Sequence, residues 1–104
     1  MEKHLTIKTY STTIDDPGIW SSDGKYDGRV TSWIAYIGFG LIALKVEETL
    51  GGYFTAKVRG ANITKEITDL VDEDTAKYQV IKLAKEMIES IVPQLGQLEK
   101  EAQP

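Results

Sequence analysis

DTAKYQVIKLAKEMIESIV, residues 74–92, is the stretch whose reading decides the fold. Apolar side chains fall at Ala76, Val80, Leu83, Ala84, Met87, Ile88, Ile91 and Val92, the spacing of one helical face. Lys77, Lys82, Lys85, Glu86 and Glu89 occupy much of the remainder. Propensity alone leaves a helix this short marginal in water, so it needs an apolar platform. Burial of Leu83, Met87, Ile88 and Ile91 is expected to matter most, at about 2–5 kcal/mol for each change to Ala. Asp72, Glu73 and Asp74 open the helix: an Asp N-cap and acids in the first turn satisfy free N–H groups and oppose the positive dipole end. Pro93 is expected to end or kink it near Val92, Gly96 to reinforce the stop, and residues 97–104 to fray.

The platform comes from upstream. Residues 53–59 alternate cleanly, with Phe54, Ala56 and Val58 inward and Tyr53, Thr55, Lys57 and Arg59 outward. Gly51-Gly52 makes a good hairpin turn, which favours a strand over a short helix for residues 41–50, with Ile42, Leu44 and Val46 on the core side. Residues 30–39 are apolar on both faces: Trp33, Ala35 and Ile37 on one, Ile34 and Tyr36 on the other. Such a strand sits centrally, and one helix covers only one face, so a second copy or a protein partner is expected over the rest. Gly60-Ala61-Asn62 is a turn, and residues 63–71 are expected as a short final strand at the sheet edge. Near the start, residues 4–10 alternate as a half-buried strand with Leu5 and Ile7 on one side. Residues 11–28 read as a long loop rich in turn signals, part of which two Asp-Gly pairs can fold into a hairpin. The expectation is one α+β domain over residues 1–104: an antiparallel sheet of four to five strands packed against one long C-terminal helix.

Composition narrows the chemistry. The net charge is −4 and the pI near 4.9, which argues against broad binding to nucleic acid. Residues 41–65 carry four cations against two acids, whereas residues 66–104 carry four lysines against nine acids. There is no Cys, so disulfides, Cys-based zinc sites and thiol catalysis are excluded, and a reducing cytoplasm suits the chain. No apolar run reaches the roughly 20 residues of a membrane span, and the N-terminus lacks the apolar core of a signal peptide. One histidine, His4, and the absence of a nucleophile elbow, zincin helix or phosphate loop argue against an enzyme. No cofactor or metal is expected. Gly38-x-Gly40-x-x-Ala43 matches a dinucleotide fingerprint only on paper, and glycines shaping a bend between strands explain it better.

Two constellations remain as binding candidates. Glu66, Asp69, Asp72, Glu73 and Asp74 form an acidic run suited to a basic partner surface, although capping accounts for three of them. Tyr53, Lys57 and Arg59, with Lys45 across the hairpin and Lys65 on the next strand, combine cations with an aromatic. That combination holds nucleotides or single-stranded nucleic acid by charge and stacking, and equally describes a solvated face whose lysines deter aggregation. Asp15, Asp16, Asp23 and Asp27 are explained by Asx-type turns before any metal.

Gly51-Gly52-Tyr53-Phe54-Thr55-Ala56-Lys57-Val58, then Asp74-Thr75 and residues 83–88 (LAKEMI), resemble HicB-type antitoxin domains, which pair such a hairpin with a helix. The resemblance covers under half of the chain. The family's Pro-rich turn is replaced by Arg59-Gly60-Ala61, and residues 1–35 have no counterpart. It implies a dimeric binding module. On size and charge, the expected function is a small acidic, non-enzymatic interaction protein that binds a basic partner surface, an inhibitor or regulator of the kind phages and mobile elements encode, homo-oligomeric and cytoplasmic.

Overall fold

The computed structural model describes residues 5–8, 10 and 18–103. Five antiparallel strands follow one another as a simple meander: β1 (Ser21–Tyr26), β2 (Arg29–Ile37), β3 (Ile42–Glu48), β4 (Phe54–Arg59) and β5 (Thr64–Leu70). One helix, α1 (Glu73–Glu101), completes the chain and lies against β3, β4 and β5. This is the α+β arrangement expected, with the ambiguous segment after Gly40 a strand.

Each connection follows from local chemistry. Asp27 and Gly28 both take positive φ (54° and 76°), the twist-matched geometry of a two-residue hairpin between β1 and β2. Gly38, Phe39 and Gly40 are all left-handed (65°, 57° and 88°) and turn β2 into β3. A strand, not a helix, follows them, so the dinucleotide fingerprint has no structural counterpart. Across the third turn the Thr49 N–H donates to the Tyr53 carbonyl at 2.7 Å.

The core lies between sheet and helix. Trp33↔Val46↔Ala56 and Ala35↔Leu44↔Val58 are cross-strand rows on the helix side, and Ile42 stands opposite Ile37. Val46, Ala56 and Val58 meet Ala76, Val80, Ala84 and Met87 of α1 in one buried cluster. Trp20, Trp33, Phe54, Leu70 and Leu83 pack around its margin. The two edge strands are polar and irregular: β1 breaks register around Gly24, and β5 carries a bulge opposite Phe54–Ala56 in which Asp69 adopts φ 61°. Charged, bulged edges discourage pairing with another sheet.

Four expectations need correction. Residues 5–8 and 10 belong to no strand, and Leu5, Ile7 and Tyr10 are more than four-fifths exposed. The stretch at 11–28 is not loop throughout: residues 21–28 are β1 and the Asp27-Gly28 turn, the hairpin that the Asp-Gly pairs allowed, and residues 11–17 lie outside the described residues. The helix does not stop at Pro93. It continues to Glu101, with Ala102 as C-cap, so most of the segment expected to fray is helical. Pro93 removes one backbone donor and crowds the carbonyl four residues back. On that turn the Ser90 hydroxyl donates to the Met87 carbonyl at 2.7 Å and the Gln94 amide to the Ser90 carbonyl at 3.1 Å. Finally, Ile88 and Ile91 are 40% and 46% exposed, and Met87 is the last buried residue of the helix.

Candidate interaction surfaces

Two surfaces carry the residues singled out in the sequence. The first is the sheet face turned away from α1. Its cross-strand rows are Tyr36↔Ala43↔Arg59, Ile34↔Lys45↔Lys57↔Glu66 and Ser32↔Glu47↔Thr55. A shallow groove lined by Ile34, Tyr36, Ala43, Lys45, Lys57 and Arg59 crosses one end, with three cations, one tyrosine and no acid. At the other end Glu47 and Glu66 join Lys45, Thr55 and Lys57. The Lys45 ammonium lies 3.3 Å from Glu47 and 3.4 Å from Asp23. Partial burial of Lys45 works against its charge, but hydrogen bonding to those carboxylates outweighs it, and its pKa is raised. Asp23 also accepts from the buried Ser32 hydroxyl at 3.2 Å.

The structure thus gathers Lys45, Lys57 and Arg59 but not the other two residues named with them. Lys65 stands opposite Val58 and so falls on the helix side of the sheet. Tyr53 precedes β4 in the turn, its ring beside Gly51. The aromatic of this face is Tyr36, which alternation along residues 30–39 identifies once the helix side is known.

The acidic run is dispersed. Glu66 faces Lys57 on the open side. Asp69 occupies the bulge. Asp72 caps α1, its carboxylate accepting the Thr75 N–H at 2.7 Å, and that hydrogen bond lowers its pKa. Glu73 binds Lys77 at 2.6 Å, and only Asp74 of the first turn stands exposed without such a contact. Among the described residues no three acids or histidines are placed to hold a metal ion. Asp15 and Asp16 lie outside the described residues.

The second surface is the far half of α1. Ile88, Ile91, Val92, Leu95 and Leu98 are 40–60% exposed along one side of the helix. Met87 is the last buried residue, and the 14 positions from it to Glu101 project about 20 Å.

One contact was invisible in the sequence. The Lys77 ammonium sits 5.3 Å from the centre of one Trp20 ring and 5.1 Å from one in Trp33, while bonded to Glu73. The i, i+4 pair Glu73–Lys77 is legible from spacing. The indoles come from the residue just before β1 and the middle of β2, and no local pattern announces them.

No protein-family model, curated protein or solved structure matches this chain. Among the described residues no helix is long and apolar enough to cross a membrane.

Proposed function

We propose that this chain is a small non-catalytic interaction protein whose working surface is the far half of α1, and that it acts as a homo-oligomer or on a protein partner. The observation that carries this reading is the ridge of Ile88, Ile91, Val92, Leu95 and Leu98, exposed together on helix that has outrun its sheet. Single exposed leucines are ordinary, but a contiguous row on one side of an element is the signature of an interface. Glu89, Glu99 and Glu101 flank the ridge, which suits a partner with a basic rim. The acids from Glu66 to Asp74 contribute less than expected, since bulge, cap and ion pair engage most of them. An inhibitory or regulatory role in the cytoplasm fits a cysteine-free module of this size.

The test compares wild type with Leu95→Glu/Leu98→Glu, by sedimentation and by capture of binding proteins. Circular dichroism should show the fold retained. Loss of association in the variant is expected. If the ridge change alters neither self-association nor capture, this reading is wrong.

A second reading has its own observation. The acid-free end of the open sheet face, with Tyr36 beside Lys57 and Arg59, suits a nucleotide or single-stranded nucleic acid. Lys57→Glu with Arg59→Glu should then abolish binding of a short labelled oligonucleotide and flatten its salt dependence, without affecting association through α1.

A further inference from the structure

We infer that the far half of α1 pairs antiparallel with the same segment of a second copy, Ile88 packing against Leu98 of the partner and Ile91 against the partner's Leu95. This rests on the reading of the ridge as the binding surface and specifies its occupant. Ile88, Ile91, Leu95 and Leu98 are spaced three, four and three residues apart, the seam of a two-helix coiled coil, and continue in register the row Ile81 and Ala84, of which Ala84 is already buried on the sheet. The neighbours of this seam on one flank, Val80 and Met87, are buried against the sheet. On the other flank stand Lys85, Val92 and Glu99, all exposed. The helix-weakening Pro93 and Gly96 fall on the side away from the seam, where they do not interrupt it.

Charge and geometry choose the orientation. With the two-fold axis near residue 93, the antiparallel pair stacks Ile88, Ile91, Leu95 and Leu98, the four seam residues of the far half, in mixed layers. It also brings Lys85 of each copy to Glu99 of the other, two ion pairs related by symmetry, with Val92 meeting Val92 at the axis. A parallel pair sets Lys85 against Val80 and Glu99 against Gln94, and gains no ion pair. It would also place both sheets, which sit on the first half of each helix, at the same end of the pair. The antiparallel arrangement puts them at opposite ends.

The chain has no cysteine, so engineered thiols report contact unambiguously. Under mild oxidation, Ile88→Cys and Leu98→Cys should each remain uncrosslinked alone and form a covalent dimer when mixed. Lys85→Glu should weaken the dimer seen by sedimentation and Lys85→Glu/Glu99→Lys restore it. Leu95→Glu should raise the dissociation constant at least about 30-fold, with helix content unchanged. Covalent homodimers from each single variant would overturn the orientation. A monomer at every concentration would overturn the pair altogether, yet ridge-dependent capture of a different protein would leave the broader reading standing.

Discussion

Asp69 and Asp72 show how one residue type serves two backbone needs. Asp69 sits in the left-handed region, which Asp tolerates and a β-branched residue does not. Asp69→Val should therefore lower stability by about 1–2 kcal/mol in urea titration, whereas Asp69→Gly should not. Asp72 holds the first turn of α1 through the Thr75 N–H, and its pKa is depressed in the folded state. A depressed carboxylate stabilises the fold above its unfolded pKa, and that contribution disappears as pH falls through the folded value. Thermal melts between roughly pH 5 and pH 2 should show the loss. Asp72→Asn, which caps without titrating, should remove that part of the slope. The cap was legible because its partner is three residues away. The bulge was not: the extra residue in β5 is defined only by its pairing with Phe54 and Ala56 of β4.

At the scale of the element, α1 is two helices in energetic terms. Its first half is fixed by Ala76, Val80, Ala84 and Met87 on the sheet, and its second half has no buried residue. Met87→Ala should cost about 2–5 kcal/mol of unfolding free energy. Ile91→Ala should change the stability of the dilute protein by less than about 0.5 kcal/mol, in contrast to the equal weight the periodicity gave both. A larger loss at Ile91 that grows with protein concentration would trace to association. Pro93→Ala restores a donor to the ladder and should slow amide exchange around residues 89–97, with a local gain of up to about 3 kcal/mol. The apolar face of the helix was readable from period alone. Its length past Pro93 was not, because local pattern reads a proline as a stop and does not show whether the helix continues beyond it.

For the molecule as a whole, the radius of gyration is 17.9 Å, against about 13 Å for a compact domain of 100 residues. Helix projecting beyond its sheet contributes to that excess. Lys77, between Trp20 and Trp33, ties the β1–β2 end of the sheet to a helix that otherwise rests on β3, β4 and β5. Lys77→Met should shift tryptophan fluorescence and cost about 1–2 kcal/mol, the scale of partly desolvated cation–π contacts. The sequence by itself determined β2 to β5 as strands and α1 as a helix, the inward side of β3, β4 and the first half of α1, and the cap at Asp72, because period and capping act over a few residues. Tertiary structure alone decided that Lys65 falls on the helix side of the sheet and Glu66 on the open side beside Lys57, that Tyr36 rather than Tyr53 joins the cations, and that α1 outruns its support. Those outcomes depend on register and on the relative lengths of distant segments, and a shift of one residue in a strand moves every side chain to the other face.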